Sequence, residues 1–299
     1  MSQLRFDGRV VAVTGAGRGI GRAYARLLAE RGAKVVVNDL GGSMRGEGSD
    51  AGPAADAVEA IVAAGGEAVA DANDVASVEG ANALIAAAVD RFGRIDSVIN
   101  NAGIMRWAGL PDLEASDLEA HLAVHTIGSF NTARAAWPHM VEQGHGRIVN
   151  TTSAGLFGLP NNTAYATAKG GVVGLTRSLD TAGASHGIRV NAIAPAAFTR
   201  MAGRGDPPPD MDPALVAPLV AYLAHDSCTA GGEIYAAGSG RFARIFIATT
   251  EGYVHSGGPL TIEDVVANWS AINDETGYSV PADLMEWSGS FLSHLPEST

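Results

Sequence analysis

The sequence predicts an α/β fold, in which a doubly wound parallel sheet of about seven strands lies between layers of helices. Short segments rich in Val and Ile alternate with longer Ala- and Leu-rich segments as far as about residue 238. The Val- and Ile-rich segments are apolar without interruption, as strands are when a parallel sheet buries both of their faces. Alternating strands and helices of this kind form open sheets with right-handed crossovers, a pattern typical of Rossmann-type folds.

Each predicted strand is a short apolar run, and the predicted helices are the Ala- and Leu-rich stretches between strands. The first strand reads Arg-Val-Val-Ala-Val-Thr, and the second reads Ala-Lys-Val-Val-Val-Asn. In order, strands are predicted at residues 9–14, 33–38, 67–71, 95–100, 146–151, 187–193 and 232–236. Helices are predicted at residues 20–31, 53–64, 77–92, 116–141, 163–185 and 213–225.

Two segments interrupt this alternation. Residues 203–213 are rich in Gly, Asp and Pro and are predicted to form a loop. Residues 240–299 contain apolar and aromatic side chains of their own, among them Trp269 and Trp287. We therefore predict a sheet domain at residues 1–239 and a C-terminal extension at residues 240–299. We expect this extension to pack on the sheet domain or on a neighbouring subunit.

The composition is that of a globular protein and excludes several classes of partner. Hydrophobic residues make up 46% of the chain and charged residues 17%. The net charge of −12 argues against general binding to nucleic acid or to an anionic membrane. No apolar stretch approaches the roughly 20 residues of a membrane span. The single cysteine, Cys228, cannot form a disulfide within the chain, which favours a cytoplasmic location.

A glycine-rich segment, Thr14-Gly15-Ala16-Gly17-Arg18-Gly19-Ile20-Gly21, follows the first predicted strand and opens the first helix. Glycines at such a turn let the backbone approach a pyrophosphate, which the N-terminus of the helix stabilises. A glycine-rich string alone also fits an ordinary turn, but its place between a strand and a helix favours a dinucleotide site. The spacing of Gly15, Gly19 and Gly21 is wider than the commonest Rossmann spacing. We therefore read residues 1–239 as a dinucleotide-binding catalytic domain.

Polar residues at the ends of the next strands complete the predicted site. Asp39 ends the second strand, where a carboxylate accepts hydrogen bonds from the adenosine ribose and repels a 2′-phosphate, so it selects NAD. A helix cap or a turn residue is the alternative role for Asp39. Asp74 after the third strand is predicted to hold the adenine, and Asn101-Ala102-Gly103 after the fourth is predicted to line the cofactor cleft. Arg18 would favour a phosphate, but a carboxylate at the ribose is expected to outweigh it.

Tyr165 and Lys169 lie four residues apart at the start of the helix that follows the fifth strand, so they share one helical face. Such a pair is usually a solvated surface pair. Here Lys169 is one of only two lysines in the chain, and Ser153 lies just upstream at the end of the strand. These coincidences favour a catalytic role.

Together these motifs resemble the short-chain dehydrogenase/reductase family. The resemblance rests, in chain order, on Thr14-Gly15-x-x-x-Gly19-x-Gly21, Asn100-Asn101-Ala102-Gly103, Ser153 and Tyr165-x-x-x-Lys169. Further segments are similar to the branch that provides the (3R)-hydroxyacyl-CoA dehydrogenase unit of peroxisomal multifunctional enzymes. They include Val37-Asn38-Asp39-Leu40-Gly41-Gly42, Gly128-Ser129-Phe130, Arg134-Ala135-Ala136-Trp137 and Ala267-Asn268-Trp269.

The resemblance implies a role for each of these residues. Tyr165 would be the acid/base, with a pKa lowered by the Lys169 ammonium and by the positive nicotinamide. Lys169 would also hold the nicotinamide ribose, and Ser153 would orient the substrate oxygen. The residues implied at the cofactor are Gly15, Arg18, Gly19, Ile20, Gly21, Asp39, Asp74, Val75, Asn101, Ala102, Gly103, Tyr165, Lys169, Pro195 and Thr199. No metal is implied.

Two departures from the family pattern leave alternatives open. His125 stands where most members have an asparagine that takes part in a lysine-linked water relay. It is counted here among the catalytic residues as a mark of the hydroxyacyl-CoA branch, but a buried, hydrogen-bonded helix histidine is an equal alternative. Members usually place the serine one residue further from the tyrosine than Ser153 lies from Tyr165, and Thr152 occupies that position. Counting forward from the fifth strand favours Ser153.

The expected function is the NAD-dependent oxidation of a secondary alcohol to a ketone. The resemblance implies a (3R)-hydroxyacyl-CoA substrate with a fatty or steroid-derived acyl group. The alternatives are a 3-oxoacyl-carrier-protein reductase, a hydroxysteroid dehydrogenase and, from another class, a non-catalytic NAD-binding sensor. Family members usually associate, so a homodimer or homotetramer is expected on helices 116–141 and 163–185.

Overall fold

The computed structural model describes residues 3–199 and 208–295. Its strands are β1 (Val10–Thr14), β2 (Lys34–Asn38), β3 (Glu67–Asp71), β4 (Ser97–Asn100), β5 (Gly146–Thr151), β6 (Ile188–Pro195), β7 (Ile234–Gly238) and β8 (Arg241–Ile245). They form one sheet in the order β3-β2-β1-β4-β5-β6-β7-β8, and β1 to β7 pair in parallel. The strand order reverses between β1 and β4, so a crevice opens at the carboxyl ends of these two strands. The predicted Rossmann-type sheet is confirmed.

The helices before residue 224 occupy the predicted segments with small differences at their ends, and the three described helices after residue 261 were not predicted. They are α1 (Gly19–Glu30), α2 (Gly52–Ala63), α3 (Val78–Phe92), α4 (Ala115–His121), α5 (Gly128–Gln143), α6 (Thr163–Gly183), α7 (Ala217–Leu223), α8 (Ile262–Ala267), α9 (Trp269–Ile272) and α10 (Leu284–Phe291). The single helix predicted at 116–141 is wrong in one respect, because a π-helical turn, Leu122–Ile127, separates α4 from α5. The helix predicted at 213–225 is shorter, since Pro213–Leu215 form a 3₁₀ turn.

Helices cover both faces of the sheet, because side chains on a strand alternate between its two faces. Val11 and Val13 of β1 face a core that contains residues of α1 and α7. Val10 and Ala12 face the other core, which is built from α3 and α5. All four side chains are fully buried. This two-sided burial is the physical reason why the strands are apolar without alternation.

Strand β8 was not predicted. It follows β7 after only two residues, Ser239 and Gly240, and so short a connection joins antiparallel strands. Both residues have positive φ, 50° and 73°, as the central residues of a type I′ hairpin turn do. Arg244 on β8 forms a bidentate ion pair with Glu233, which lies next to β7.

The chain divides after Arg244 into two compact units, shortly beyond the boundary predicted at residue 239. Within the second unit, Thr249 and Ser279 form an antiparallel bridge, and the indole of Trp287 donates to the Thr249 hydroxyl at 3.1 Å. A capping box of Thr261 and Asp264 begins α8. The predicted packing of the extension stays a prediction. Of the loop predicted at 203–213, residues 203–207 lie outside the described residues.

Candidate active site

The glycine-rich turn between β1 and α1 requires its glycines for close packing. Gly15 has a φ of +63°, and a Cβ on it would lie 2.8 Å from the Cα of Ala102. A Cβ on Gly17 would lie 2.8 Å from an oxygen of Asp39, and one on Gly21 would overlap the carbonyl of Gly15. The turn is thus pressed against the ends of β2 and β4, and no larger residue fits at these three positions.

Hydrogen bonds join the carboxyl end of β1 to the residues that directly follow β4. The hydroxyl of Thr14 accepts from the backbone amides of Asn101 and Ala102 at 3.0 and 2.9 Å. The side-chain amide of Asn101 donates to the carbonyls of Thr14 and Gly15 at 3.0 and 3.1 Å. Asn101 therefore fixes the shape of the glycine-rich turn.

Asp39 is almost completely buried at the end of β2, with 8% of its surface exposed. One carboxylate oxygen accepts from the amide of Gly17 at 2.9 Å, and the other accepts from the amide of Gly41 at 2.7 Å. The carboxylate is therefore fixed in place and joins the glycine-rich turn to the loop after β2. Each of its oxygens retains a lone pair for a further donor.

A cleft of about 400 Å³ opens at these strand ends. Of the residues predicted to bind the cofactor, all but Gly21 line it: Gly15, Arg18, Gly19, Ile20, Asp39, Asp74, Val75, Asn101, Ala102, Gly103, Tyr165, Lys169, Pro195 and Thr199. His125 lines it as well. Residues that were not predicted also line it: Asn38, Leu40, Gly41, Gly42, Ser43, Gly46, Asn73, Ile104, Val124 and Thr151. The Gly41-Gly42 pair, which follows Asp39 after Leu40, is the signal that could have identified this loop.

The cleft fits a dinucleotide. Helix α1 begins at Gly19 without a side-chain cap and without an acidic residue in its first turn. Its first amides are therefore available to a pyrophosphate, which the helix dipole favours at this end. Asp39 at the end of β2 is a hydrogen-bond acceptor suited to a ribose hydroxyl. The cleft extends from this carboxylate to Tyr165 and Lys169.

Tyr165 and Lys169 line the other end of the cleft, and Ser153, which is not among the lining residues, lies beside Tyr165. The Ser153 hydroxyl hydrogen-bonds to Tyr165 and also accepts from the amide of Gly155 at 3.0 Å. The Nζ of Lys169 lies 5.5 Å from the centroid of the Tyr165 ring. It donates to the carbonyl of Thr151 at 2.6 Å. A hydroxyl and an amine thus both lie close to Tyr165.

Thr152, the alternative to Ser153, points elsewhere. Its side chain is fully buried, and its hydroxyl donates to the carbonyl of Lys169 at 2.9 Å. This bond joins β5 to α6 behind the cleft. The register counted forward from the strand therefore agrees with the observed geometry, in which Ser153 faces Tyr165.

Burial shifts the two ionisable groups in opposite directions. Burial raises the pKa of Tyr165, and the hydrogen bond from Ser153 opposes this shift by a smaller amount. Burial also lowers the pKa of Lys169 to about 7. In the protein without cofactor, burial therefore opposes the phenolate, and the lowering of the Tyr165 pKa that is expected from Lys169 and the positive nicotinamide together stays a prediction. A positive charge in the cleft would reverse this balance.

Two stacked histidines lie behind Tyr165. His125 is 2% exposed and His121 is fully buried, and their ring centroids are 5.8 Å apart at an interplanar angle of 13°. The edge of each ring meets Tyr165, at 5.2 Å for His125 and 6.1 Å for His121. Burial lowers the pKa of both histidines. His121 was not predicted, although it lies one helical turn before His125.

Gly103 leaves room for this arrangement. A Cβ at Gly103 would lie 2.7 Å from the ring of His125. The Nε2 of His125 lies 3.3 Å from the amide nitrogen and 3.0 Å from the carbonyl oxygen of Ile104. No group among the described residues hydrogen-bonds to its Nδ1. His125 is therefore a buried helix histidine that also borders the cleft.

A dinucleotide cleft at the switch point of a parallel sheet, with a serine, a tyrosine and a lysine at one end, is typical of nicotinamide-dependent oxidoreductases. A family model described as short chain dehydrogenase matches residues 9–205. The chain belongs to the short-chain dehydrogenase family.

Individual relatives agree with this assignment. The chain is 42% identical over 300 residues to the mouse (Mus musculus) peroxisomal multifunctional enzyme type 2, which covers 98% of the chain and 40% of that protein. It is 42% identical over 276 residues to a short-chain type dehydrogenase/reductase of Mycobacterium tuberculosis, over 91% of the chain and 96% of that protein. Full-length peroxisomal multifunctional enzyme type 2 of Drosophila melanogaster superimposes with a TM-score of 0.81 at 35% identity. That match covers 97% of the chain and 50% of the fly protein, so the chain spans half or less of the mouse and fly multifunctional enzymes.

These findings confirm the predicted family and the predicted branch resemblance, and they confirm that the chain is an oxidoreductase enzyme. They imply a nicotinamide nucleotide as the cofactor and a small molecule as the substrate. Within the described part of the chain, no helix is long and apolar enough to cross a membrane.

Proposed function

We propose that the chain is an NAD-dependent dehydrogenase that oxidises the secondary alcohol of a (3R)-hydroxyacyl-CoA to a ketone. The observation that carries this proposal is the pair of Tyr165 and Lys169 at one end of a cleft that has Asp39 at the other, with Ser153 hydrogen-bonded to Tyr165. The first three groups suit an alcohol as the reacting group, and the carboxylate suits a cofactor with a free ribose hydroxyl.

In this proposal Tyr165 removes the hydroxyl proton of the substrate. Its hydrogen bond to Ser153 marks the place of the substrate oxygen, which the serine hydroxyl orients. Lys169 holds the nicotinamide ribose and supplies positive charge beside the phenol. The nicotinamide, when bound, accepts the hydride. His125 packs against Tyr165 and borders the cleft, so we assign it the task of holding the phenol in place.

The preference for NAD rests on Asp39. Its carboxylate is fixed by two backbone amides and cannot turn away from the ribose without breaking both bonds. A 2′-phosphate at that position would bring two negative groups together. Arg18 also lines the cleft and suits a phosphate, but the Asp39 carboxylate stays bound to its two backbone amides beside it.

The substrate class rests on the branch resemblance, with support from relatives that are named multifunctional enzymes. We infer a fatty or steroid-derived acyl-CoA thioester. Exposed apolar side chains agree with a lipid substrate, since Trp107, Leu110, Phe157 and Leu159 follow the strands that carry the site. We further infer a homodimer or homotetramer and a cytoplasmic location, which the sequence predicts.

A substrate panel tests the proposal. The protein is mixed with NAD and, in turn, with (3R)- and (3S)-hydroxyacyl-CoA thioesters of several chain lengths and with free hydroxysteroids, and NADH absorbance is followed. We expect turnover of the (3R) thioesters and not of the (3S) isomers. Turnover of free steroids alone, or of acyl-carrier-protein thioesters with NADPH alone, would contradict the proposed substrate and favour the corresponding alternative enzyme.

A further inference from the structure

Residues 104–106, here called the strap, join two parts of the molecule that are distant in sequence. The strap follows the Asn-Asn-Ala-Gly segment after β4. On one side, the amide of Met105 donates to the carbonyl of Met44 at 2.8 Å, and the Nε of Arg106 donates to the carbonyl of Arg45 at 2.9 Å. Gly46 comes so close that a Cβ on it would lie 3.0 Å from the Ile104 side chain.

The loop that receives these bonds is a closed turn at residues 43–47. The Ser43 hydroxyl accepts from the amides of Arg45 and Glu47, and the Ser43 amide donates to the carbonyl of Glu47. Ser43 and Gly46 line the cleft together with Asp39. The turn thus belongs to the end of the cleft that the proposed function assigns to the adenosine ribose.

On its other side, the strap contacts the stacked histidines. The backbone amide of Arg106 donates to the Nε2 of His121 at 3.2 Å. The guanidinium of Arg106 pairs with the carboxylate of Asp117 at 3.1 Å. The Nδ1 of His121 lies 2.7 Å from the carbonyl of Asp117. The backbone of Ile104 meets the Nε2 of His125.

These partners fix the state of His121. The Nδ1 faces a carbonyl oxygen, which can only accept a hydrogen bond, so Nδ1 carries a proton. The Nε2 accepts from a backbone amide, so it carries none, and His121 is neutral. In this state it holds Arg106 and α4 together. It also lies against His125 and Tyr165, so a shift of the strap moves both rings that contact the tyrosine.

We propose that Arg106 and His121 are positioning residues, through which the adenosine half of the cofactor sets the position of Tyr165. Neither residue needs to touch the reacting atoms. Binding energy from the remote half of the cofactor orders the turn at 43–47, and the strap transmits that order to the histidines and the tyrosine. This inference rests on the proposed function.

A kinetic experiment compares NAD with nicotinamide mononucleotide, which lacks the adenosine half. Arg106→Lys keeps a charge toward Asp117 but loses the Nε donor to Arg45, and His121→Phe keeps a ring but loses both hydrogen bonds. We expect each variant to lower kcat with NAD by about tenfold, and we expect Arg106→Lys, whose side chain is not among the groups that contact Tyr165, to leave kcat with the mononucleotide unchanged. A merely structural role would lower both rates by the same factor, and that result would overturn the proposal.

The matched control is Arg9→Lys. Arg9 is also part-buried and pairs with two carboxylates, Asp96 and Asp226. It lies just before β1, at the amino end of that strand, whereas the cleft lies at the carboxyl ends of the strands. This variant loses guanidinium contacts without touching the strap. The ratio of the two rates must stay at the value of the unmodified protein. A change as large as that in Arg106→Lys would contradict the proposal.

Hydrogen exchange gives a readout that does not depend on turnover. ADP-ribose, which lacks the nicotinamide, is added to the full chain, and amide exchange is followed at residues 43–47, 104–106 and 121–125. We expect slower exchange at all three segments by about tenfold, and in Arg106→Lys slower exchange at 43–47 only. Equal protection of 121–125 in both proteins would overturn the coupling. A failure of ADP-ribose to bind at all would instead contradict the proposed function.

Discussion

Tyr165 and Lys169 lie one helical turn apart, and water reaches neither freely. Burial raises the pKa of the phenol and lowers that of the amine to about 7. Each shift comes from the burial of that group, and at Tyr165 the hydrogen bond from Ser153 opposes it. The protein by itself therefore favours a neutral phenol beside a weakly basic amine, and the positive nicotinamide shifts the balance toward the phenolate.

The two hydroxyls at the end of β5 are expected to differ in their effect on turnover. Ser153→Ala removes the hydroxyl that bonds to Tyr165, and it should lower kcat by roughly two to three orders of magnitude, the effect of losing one transition-state hydrogen bond. Thr152→Val removes a hydroxyl that faces a carbonyl of α6, and it should reduce kcat far less. Steady-state kinetics with one thioester measures both. The reverse ranking would assign the substrate oxygen to Thr152.

Cofactor selection is expected to depend on Asp39. Asp39→Ala removes the repulsion of a 2′-phosphate, so the preference for NAD over NADP should narrow, chiefly through a lower KM for NADP. The variant also leaves the amides of Gly17 and Gly41 without their acceptor, so the KM for NAD should rise. Comparison of kcat/KM for the two cofactors measures this change. Equal or better turnover with NADP in the unmodified protein would refute the assignment.

At the level of elements, the carboxyl ends of β1, β2 and β4 line the cleft, and ion pairs join the amino ends of β1 and β4. Asp96, just before β4, accepts from Arg9, from Arg94 and from the amide of Val10 on β1. Its side chain is 1% exposed. Burial alone would raise the pKa of Asp96, but these hydrogen bonds outweigh it and lower the pKa.

Loss of this carboxylate should destabilise the sheet in a pH-dependent way. Asp96→Asn should lower the free energy of unfolding at pH 7 by about 2 kcal/mol, less than for a fully buried pair because both arginines reach solvent. Since the folded pKa lies below the unfolded value near 3.8, the difference should be complete above that pH and shrink as the pH falls. Urea unfolding at several pH values measures it. The exposed Glu30→Gln, which breaks a surface pair with Arg26, should change stability by a few tenths of a kcal/mol. A pH-independent loss in Asp96→Asn would contradict this reading.

The sequence predicts the regular elements well, and it fails where geometry is decided by tertiary contacts. Seven strands were predicted from uninterrupted apolar runs, because a sheet buried on both faces leaves that trace. The π-helical turn at Leu122–Ile127 has no comparable pattern in the sequence. There the hydroxyl of Ser129 donates to the carbonyl of His125 at 2.7 Å, a bond that only the folded helix forms. The hairpin to β8 was missed because Ser239 adopts a positive φ that glycine usually supplies.

At the scale of the whole molecule, the predicted cofactor residues meet because the strand order reverses between β1 and β4. Local motifs identified the glycine-rich turn, Asp39 and the Tyr165–Lys169 pair. The strap and His121 could not be predicted, because their role depends on contacts between segments far apart in sequence. The turn at 43–47 is another example, since its contacts with Met105 and Arg106 exist only once the two loops lie side by side.

The assembly is expected to be a homodimer or homotetramer. The alanines of the run Ala133-Arg134-Ala135-Ala136 pack α5 into the molecule's own core, but Ile127 and Phe130, at the start of α5, are exposed apolar side chains that a partner subunit would cover. Light scattering at micromolar concentration measures the mass. Phe130→Glu should shift it toward the monomer, whereas Val62→Glu on the exposed face of α2 should not. A monomer in the unmodified protein would refute this expectation.

The most direct test of the central claim compares the unmodified protein with Tyr165→Phe, using NAD and a (3R)-hydroxyacyl-CoA. NADH formation and NADH binding are measured on the same preparations. Removal of the phenol oxygen alone should leave NADH binding unchanged. It should lower kcat by about two to four orders of magnitude, the usual contribution of a general base. If Tyr165→Phe binds NADH normally and still forms NADH at the rate of the unmodified protein, Tyr165 is not the base and the account is wrong.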